Sequence, residues 1–392
     1  MSASATQSTG GGAGVGSGAG AGPAAHTSGA PVLIMAGGTG GHVYPALAVA
    51  RVLRARGVPV VWLGTASGLE ARVVPAQGFR LETLAIGGLR GKGLGTLLRA
   101  PLRICAAVLE ARRLLKRLQP CVVLGAGGYA SGPGGIAAWL LGIPLVIHEQ
   151  NAVAGLTNRW LARIATEVLE AFPGSFGRGR AVRTIGNPVR ADIAALAPPA
   201  ERFAAREGRI RLLVFGGSQG AQRLNQVVPE ALAQLDPTRR PQVRHQTGER
   251  GLEAARAAYR ERAVDAEVLP YIEDMAAAYA WADLALCRAG AMTVCELEAA
   301  GLGAVLVPFA LATDDHQMRN AEVLDALGAA RIIAERDFDA ARLAGCLTEL
   351  GAGRARLLAM AQAARAARIT DAADRLAECC LALGGRVAGR AA

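Results

Sequence analysis

Lysine and aromatic side chains are scarce in this 392-residue chain. Of its 43 basic residues only Lys92 and Lys116 are lysines, and aromatic residues make up 4% of the sequence. The net charge of +11 favours an anionic partner, but so one-sided an arginine excess also follows from biased nucleotide composition, so charge identifies no partner by itself. The few tryptophans and tyrosines have no basic clusters around them, so we expect no nucleic-acid partner.

Paired cysteines and long apolar segments are also missing. The seven cysteines show no C-x-x-C spacing, which predicts reduced structural thiols and neither a zinc site nor a disulfide framework. The longest apolar run, 136–147, is broken by Gly142 and Pro144 and is too short to cross a bilayer. Residues 1–30 lack the basic start and apolar centre of a secretory signal, so we expect a disordered tail on a cytosolic protein.

From residue 31 onward, short β-rich runs alternate with longer helical patterns. Strands are predicted at 32–36, 58–63, 121–124, 145–148, 167–169, 212–215, 266–269, 284–287 and 304–307, and helices at 45–56, 101–118 and 221–235. This is the βαβ rhythm of a doubly wound parallel sheet, which binds ligands at the carboxyl ends of its strands. The rhythm breaks at Pro188 and in the Ala/Pro-rich stretch 194–200 before it restarts.

We therefore predict an α/β protein with two Rossmann-like domains facing across a cleft. A disordered tail, 1–30, precedes the first domain, 31–187, and the second domain spans 188–366. A C-terminal helix in 367–392 packs back on the first domain.

Two glycine-rich turns each follow a predicted strand and open a predicted helix. They are AGGTGGH at 36–42 and FGGSQGA at 215–221. Missing side chains let a ligand approach the backbone, and the free N–H groups at the start of a helix attract anions. One such turn in each domain indicates a phosphorylated ligand in the cleft. A third glycine-rich stretch, 125–135, offers a further backbone nest for an anion or is simply a structural loop.

Two side chains have functional groups suited to a polar ligand in the cleft. An imidazole ordinarily changes charge at about pH 6.5, so His42 can take the proton from an attacking hydroxyl, although capping or a phosphate contact would also suit it. Glu296, one turn into the helix predicted at 292–300, can accept hydrogen bonds from both hydroxyls of a ribose. A solvated position on the helix surface is the alternative for Glu296.

Five motifs in a fixed order resemble the MurG-like bacterial transferases of glycosyltransferase family 28. They are GGTGGH at 37–42, GGYASGP at 127–133, HEQN at 148–151, GGSQG at 216–220 and RAGAMTVCE at 288–296. The likeness runs from about residue 32 to at least residue 320 and includes GNPVR at 186–190 and YIEDM at 271–275. Two departures are Gly303, where the family has proline, and a loop at 309–320 that is longer than expected.

The resemblance implies a GT-B fold and an inverting hexosyltransferase. Such an enzyme moves N-acetylglucosamine from UDP-N-acetylglucosamine to the MurNAc 4-hydroxyl of lipid I, giving lipid II for peptidoglycan synthesis and thus for cell shape and division. It implies a peripheral protein on the cytoplasmic face of the inner membrane. Its expected partners are the two substrates, an anionic membrane surface and other cell-wall synthesis and division proteins.

The resemblance also assigns roles to individual residues. His42 is the expected general base. Glu149 is also expected to be catalytic, by orienting its neighbours or the acceptor. The expected acceptor-binding residues are Gly127, Gly128 and Tyr129. The expected donor-binding residues are Thr39, Gly40, Gly41, Asn151, Arg190, Ser218, Ile272 (through its backbone, to uracil), Ala291, Met292, Thr293, Val294, Cys295, Glu296 and Gln317.

No metal or other cofactor is expected beyond the substrate UDP-N-acetylglucosamine. Asp337-Phe338-Asp339 matches the D-x-D metal motif of a different glycosyltransferase fold, but it precedes a predicted helix, so N-capping explains it better. Helix ends and side chains are then expected to stabilise the leaving UDP.

Several alternatives remain open. The segment 87–103 interleaves leucines with basic residues, which suits either an anionic membrane surface or an ordinary loop leading into a helix. A UDP-sugar epimerase of similar fold and a non-catalytic nucleotide-sugar-binding scaffold both share the doubled rhythm. An NAD-linked dehydrogenase also fits it, but the chain lacks a G-x-G-x-x-G turn followed about 20 residues later by an acidic residue.

Overall fold

The computed structural model of this chain describes residues 29–86, 100–177, 181–217, 221–310 and 315–391, without side chains at residue 100 and at 386–391. Three sequence-based predictions lie wholly or largely outside these ranges. They concern the tail 1–30, the basic segment 87–103 and Ser218 in the second glycine turn.

The first sheet has seven parallel strands within the described residues, in the spatial order β3-β2-β1-β4-β5-β6-β7. Its strands are β1 Val32–Met35, β2 Val60–Thr65, β3 Arg80–Leu84, β4 Val122–Gly125, β5 Leu145–Glu149, β6 Glu167–Glu170 and β7 Arg183–Thr184. Its helices are α1 Gly40–Ala55, α2 Leu69–Ala76, α3 Ala100–Leu118, α4 Ser131–Leu140 and α5 Leu156–Leu161. The central strands read as continuous apolar runs because helices cover both faces of the sheet.

The second sheet has six parallel strands in the described part of the chain, in the order β10-β9-β8-β11-β12-β13. Its strands are β8 Arg211–Phe215, β9 Gln242–Gln246, β10 Glu267–Leu269, β11 Leu284–Cys287, β12 Ala304–Leu306 and β13 Ala330–Ile332. The helices of this half are α6 Ala191–Ala194, α7 Pro199–Ala204, α8 Gln222–Ala233, α9 Leu252–Glu261, α10 Met275–Trp281, α11 Ala291–Ala300, α12 His316–Ala326, α13 Ala340–Gly351, α14 Arg354–Ala367 and α15 Ala372–Ala391.

Both sheets reverse their strand order at an equivalent point. The order turns between β1 and β4 in the first sheet and between β8 and β11 in the second. Loops that leave these neighbouring strands diverge to opposite faces and leave a crevice at the carboxyl edge of the sheet. Three glycine-rich turns follow β1, β4 and β8, and the turn with Gly290 follows β11. The prediction of two doubly wound sheets is confirmed.

The structure corrects some predicted boundaries. Helix α1 begins at Gly40 and not near Pro45, so His42 lies in its first turn. The sequence patterns also do not predict β3, β7, β9 and β13. The strands β3 and β9, RLETL and QVRHQ, are largely polar, and β7 and β13 have only two and three residues. Parallel pairing with a buried neighbour, and not local composition, makes them strands.

The final helix packs on the first sheet. Leu376, Cys380 and Leu383 of α15 belong to the same buried cluster as Val32 and Leu53. The helix is also tied to the end of α1, where Arg56 pairs with Asp374 at 2.7 Å. The C-terminal segment therefore returns to the first half of the chain after the second sheet is complete.

Two further properties concern the membrane and the thiols. Among the described helices, none combines the length and the apolar character that crossing a bilayer requires. The seven cysteines all lie in the described ranges and are free thiols.

Candidate active site

A buried carboxylate, that of Glu70, binds the backbone of the first glycine turn. Glu70 Oε2 accepts a hydrogen bond from Gly38 N at 2.9 Å, while Oε1 accepts from Thr65 N and Thr65 Oγ1 at 2.9 and 2.7 Å. A Cβ atom on Gly37 would stand 2.5 Å from Glu70 Oε1. The glycine at position 37 is therefore needed to admit the carboxylate that shapes the turn.

Helix α1 presents an open N-terminus to the cleft. Thr39 is its N-cap in an extended conformation, and its hydroxyl makes no capping bond. The N–H groups of Gly40 and Gly41 have no partner inside the helix, because the first residues of any α-helix lack an acceptor one turn earlier. Thr39, Gly40 and Gly41 thus lie together, as predicted, in a geometry suited to an anion.

The turn after β4 rests on the first glycine turn. Gly127 and Gly128 have φ values of +98° and +95°. A Cβ atom on Gly127 would stand 2.7 Å from His42 Nδ1, and one on Gly128 would stand 2.6 Å from the Gly37 carbonyl oxygen. Both glycines are therefore required for packing between the turns, whereas Tyr129 is 54% exposed and open to a ligand.

The His42 imidazole is oriented by its Nδ1 atom, which lies 3.0 Å from Gln150 Oε1. Gln150 is buried immediately after β5, in the HEQN motif. This contact turns the opposite ring nitrogen, Nε2, away from Gln150. The geometry is that of a histidine held at one nitrogen so that the other can act.

Glu149 is a loop organiser in this structure. Its Oε1 accepts from Asn151 N and Asn151 Nδ2 at 2.9 and 3.0 Å, and its Oε2 accepts from Gly155 N and Asn158 Nδ2 at 3.1 and 2.9 Å. Four donors occupy a carboxylate that is only 1% exposed. This arrangement supports the orienting role considered for Glu149 and not proton transfer by Glu149 itself.

Helix α11, like α1, has no side-chain capping bond at its N-terminus. Gly290 is its extended N-cap, and the first turn has no acidic residue. The free N–H groups belong to Ala291, Met292 and Thr293, since Val294 N already bonds to Gly290 O at 3.0 Å. Of the predicted donor contacts on this helix, these three residues have a backbone N–H left for a ligand.

Val294 and Cys295, two further predicted donor contacts, have buried side chains in this structure. The Val294 side chain is fully buried in the core, and Cys295 is buried beneath the cleft. Asn187 Nδ2 lies 3.4 Å from Cys295 Sγ. Both side chains face inward because the apolar side of α11 packs on the sheet, so their predicted contact with the donor is left to the backbone of the helix.

Glu296 is held by a buried tyrosine. The Tyr279 hydroxyl donates to Glu296 Oε2 at 2.9 Å. Burial raises the pKa of Glu296, and the hydrogen bond from Tyr279 and the charge of Arg190 oppose that rise. This partnership is not that of a solvated helix-surface glutamate, and it leaves Oε1 for a ligand hydroxyl.

Gln246 connects the two segments expected to hold the nucleotide. Its Oε1 accepts from Ile272 N at 3.0 Å, and its Nε2 donates to Gly217 O at 2.8 Å. The Ile272 N–H is therefore already used, and its carbonyl is the backbone group left for a base edge. Gln246 was not among the predicted site residues, because the polar strand β9 that ends with it has no recognisable strand pattern in the sequence.

Two asparagines bridge the halves of the chain. Asn320, in α12, accepts from Ala152 N at 2.8 Å and donates to Ala289 O at 3.2 Å and to Asn151 Oδ1 at 3.3 Å. Asn187, at the end of the first half, donates to Gln150 O at 2.9 Å, and its Nδ2 also lies 3.4 Å from Cys295 Sγ in the second half. Asn151, a predicted donor contact, is thus held between Glu149 and Asn320. Neither bridging asparagine was predicted, because each is identified only by its distant partners.

Gln317 and Arg190 are both partly engaged. Gln317 Oε1 accepts from Ala289 N and Phe309 N at 3.2 and 3.0 Å, so its amide NH₂ is the group left for a sugar hydroxyl. Gln317 lines a cavity of about 620 Å³ with Gly216 and Arg288. Arg190 is exposed and bonds to Asp192 through Nε at 3.2 Å.

A larger cavity, of about 780 Å³, opens beside His42. Its walls are largely apolar, and exposed Tyr129, Leu156 and Trp160 stand among them. It also reaches Asn151 and His316, so residues of both halves line it. In the described ranges, no group of three or more His, Cys, Asp or Glu side chains could hold a metal ion. Asp339 caps α13 by accepting from Arg342 N at 2.8 Å, which confirms the capping interpretation of the D-x-D triplet.

Comparison with protein families gives two matches. Residues 32–170 match the glycosyltransferase family 28 N-terminal domain, and residues 211–376 match the glycosyltransferase family 28 C-terminal domain. The chain belongs to glycosyltransferase family 28. This membership confirms the resemblance found in the motifs and makes the protein a glycosyltransferase, in place of a dehydrogenase or an epimerase.

Other family 28 proteins match most of the chain. A protein of Nitrosococcus oceani is 57% identical over 350 residues, which is 89% of this chain and 98% of the relative. A protein of Marinobacter nauticus is 54% identical over 349 residues, 89% and 96% of the two chains. Both are named UDP-N-acetylglucosamine--N-acetylmuramyl-(pentapeptide) pyrophosphoryl-undecaprenol N-acetylglucosamine transferase.

A solved family 28 structure agrees with the fold. The crystal structure of Acinetobacter baumannii MurG shares 40% sequence identity and has a TM-score of 0.81, covering 90% of this chain and 99% of that chain. The predicted GT-B fold is confirmed.

Proposed function

We propose that this chain transfers N-acetylglucosamine from UDP-N-acetylglucosamine to the MurNAc 4-hydroxyl of lipid I, with inversion at the anomeric carbon. The observation that carries the proposal is the placement of His42. Its ring lies between the open N-terminus of α1 and an apolar cavity that both halves of the chain line. The relatives named for this transfer, at 54 to 57% identity, support the choice of substrates.

The donor is assigned to the second half of the chain. The free N–H groups at the start of α11 bind the diphosphate, and the first turn of this helix has no acidic residue that would repel it. Glu296 receives the ribose hydroxyls, and the Ile272 carbonyl accepts from the uracil ring. Ser218 is retained as a diphosphate contact, and Arg190 and Gln317 as further donor contacts.

The acceptor is assigned to the first half. Thr39, Gly40 and Gly41 lie where the acceptor diphosphate and the donor sugar meet, and Tyr129 lines the apolar entrance with Gly127 and Gly128 behind it. His42 Nε2 takes the proton from the acceptor hydroxyl as its oxygen bonds to the anomeric carbon and UDP leaves. The helix N-termini stabilise the negative charge that develops on the leaving diphosphate, and we propose no metal ligand set.

The domain division at 31–187 and 188–366, with 367–392 returning to the first domain, is part of the proposal. The two family matches, at 32–170 and 211–376, support it. So do the contacts of α15 with the core around β1.

We also propose that the protein attaches peripherally to the cytoplasmic face of the inner membrane, where it binds the anionic membrane surface. Leu156 and Trp160, exposed by 54% and 60% beside the cavity, support it. Replacing both by serine should release the protein from vesicles containing anionic lipid. Leu327→Ser, at a similarly exposed leucine of the second half, should not. Equal binding of all variants would contradict this surface. Other cell-wall synthesis and division proteins remain expected partners.

The test of the central proposal is transfer of radiolabelled N-acetylglucosamine to lipid I by the purified protein. His42→Ala should lower kcat by about a hundredfold or more, the range of general base catalysis. Glu296→Gln should raise the KM for UDP-N-acetylglucosamine by roughly tenfold, because a neutral amide oxygen is a weaker acceptor for a ribose hydroxyl than the ionised carboxylate. Glu298→Gln is the matched control on the same helix and should keep the wild-type KM.

Binding of the UDP-sugar without any product would contradict the proposal. It would favour the non-catalytic scaffold instead.

A further inference from the structure

A hydrogen-bonded chain of side chains runs from the cleft to the linker between the two sheets. His42 Nδ1 lies 3.0 Å from Gln150 Oε1, and Gln150 Nε2 lies 3.2 Å from His148 Nδ1. His148 Nε2 lies 3.0 Å from the carbonyl oxygen of Gly186. We propose that this chain fixes the tautomer of His42, so that Gln150 and His148 are positioning residues for the proton transfer.

The carbonyl of Gly186 determines which atoms donate and which accept along this series of hydrogen bonds. The Gly186 carbonyl can only accept a hydrogen bond, so His148 Nε2 must be protonated. Burial lowers the pKa of His148 to about 4, against the opposing influence of the Gly186 bond and the nearby Glu149 charge. His148 is therefore neutral near pH 7, and its Nδ1 has a lone pair and no proton.

The Gln150 amide then has one consistent orientation. Its NH₂ group lies 3.2 Å from His148 Nδ1 and 3.2 Å from the His148 carbonyl oxygen. Both of these atoms accept, so the NH₂ group donates to them and the amide oxygen is turned toward His42. A carbonyl oxygen cannot donate, so the proton between Gln150 and His42 belongs to His42 Nδ1.

The outcome is a lone pair on His42 Nε2. In a neutral histidine side chain free in water the proton prefers Nε2, which would block that atom as a base. The buried amide reverses this preference because Gln150 Oε1 would otherwise be an unsatisfied acceptor in a closed site. This step rests on the proposed role of His42, whose Nε2 accepts the hydroxyl proton while the new glycosidic bond forms and UDP departs.

The inner end of the chain is rigidly placed. Gly186 has a φ of +81°, and a Cβ atom there would stand 2.7 Å from Ile369 Cβ. The Cα atom of Gly186 is thus packed against Ile369, in the segment between α14 and α15. The tautomer of His42 is therefore determined by contacts that reach far behind the cleft.

The tautomer can be measured directly by nitrogen NMR on protein labelled with ¹⁵N-histidine. The chain has five histidines, and comparison with His42→Ala assigns the His42 signals. The expected wild-type result at about pH 8 is a protonated Nδ1 and an unprotonated Nε2 on His42. A proton on Nε2 instead would overturn the proposal without any variant having to fold.

The matched variants are Gln150→Leu and Asn225→Leu. Asn225 is another buried amide that donates to a backbone carbonyl, Thr247 O at 3.0 Å, in the second half. Gln150→Leu should move the His42 proton toward Nε2 and lower kcat about tenfold or more, with the KM for UDP-N-acetylglucosamine within about twofold of wild type. Asn225→Leu should leave the His42 signals unchanged.

An unchanged His42 tautomer in folded Gln150→Leu would overturn the positioning role. The proposed function can fail independently of this inference. If His42 shows the expected tautomer but the protein forms no product from lipid I, the positioning role of Gln150 and His148 stands and the proposed transfer reaction is wrong.

Discussion

Gly128 lies directly against Gly37, so that a Cβ atom built on Gly128 would stand 2.6 Å from the Gly37 carbonyl oxygen and 2.8 Å from its nitrogen. The two turns after β1 and β4 are thereby in backbone contact at the point where the first sheet reverses its order. This contact, together with Gly127 against the His42 ring, places the imidazole at the edge of the cleft.

Gly128→Ala should separate the two turns and displace His42. We expect transfer activity to fall by about a hundredfold, because small misplacement of a catalytic group has costs of that order. Gly57→Ala is the matched control: Gly57 also has a positive φ, +74°, but nothing lies within 4 Å of its Cβ position. Both variants should lose about 1 kcal/mol or more of stability from backbone strain, and only Gly128→Ala should lose activity. Initial rates and urea unfolding of the two proteins decide between these outcomes.

Glu70→Gln should loosen the first glycine turn. Burial would raise the pKa of Glu70, but the hydrogen bonds from the Thr65 hydroxyl and from the N–H groups of Gly38 and Thr65 together outweigh it, so the pKa is lowered. A group whose pKa is lower in the folded state stabilises the fold above its unfolded pKa and loses that contribution as the pH falls. Replacing the carboxylate by an amide should therefore lower the free energy of unfolding by about 1–3 kcal/mol at neutral pH.

The measurement for Glu70 is urea unfolding at about pH 7 and about pH 4. The difference between wild type and Glu70→Gln should shrink at the acid end. A difference that stays constant with pH would show that the ionised carboxylate does not hold the turn.

Tyr279→Phe should weaken donor binding in a pH-dependent way. Burial already raises the pKa of Glu296, and the Tyr279 hydroxyl opposes that rise, so its removal raises the pKa further. More of the glutamate is then protonated at mildly acid pH, where it accepts ribose hydroxyls less well. Calorimetric titration with UDP should show roughly tenfold weaker binding at about pH 6 and a smaller loss at about pH 8.

Tyr259→Phe is the control for that experiment. Tyr259 is also buried, and its hydroxyl lies 2.9 Å from His245 Nδ1. UDP affinity should match the wild type at both pH values, and an equal loss in the two variants would mean that Tyr279 acts only through general stability.

Glu298→Gln should stabilise the protein at alkaline pH. Burial raises the pKa of Glu298 to about 8, so the folded state keeps a proton that the unfolded chain releases near its ordinary value. A raised folded pKa contributes stability that is present at low pH and is lost as the pH rises through that value. As the pH rises from about 4.5 to about 8, the free energy of unfolding of the variant should increase relative to that of the wild type, by at most about 5 kcal/mol. Thermal unfolding at about pH 5 and pH 9 checks this, and a gain that is the same at both would contradict it.

Local sequence chemistry predicts much of the fold and the outline of the site. Buried parallel strands are continuous apolar runs, and a turn that must adopt positive φ or admit another backbone requires glycine, so β1, β4, β8 and β11 and the turns behind them can be identified without coordinates. His42 and Glu296 are recognisable because each follows such a turn by a few residues.

The supporting residues could not be predicted in this way. Gln246 lies in a strand with little apolar character, and Asn320 lies in a helix with no glycine turn before it. Each acts through a partner far away in the chain, Ile272 for one and Ala152 for the other. Glu70 likewise resembles any helix glutamate until its contacts with Gly38 and Thr65 are seen.

The order of the elements, the family and the types of functional group can therefore be read from local patterns, because periodicity and turn chemistry operate over a few neighbouring residues. Which of those groups meet depends on how the chain folds. The fold places Gln150 between two histidines, Tyr279 under Glu296 and Gly128 on Gly37. The reason is geometric: the order of the strands brings the ends of distant segments to one edge, and hydrogen bonds across that edge depend on atomic distances that no local pattern encodes.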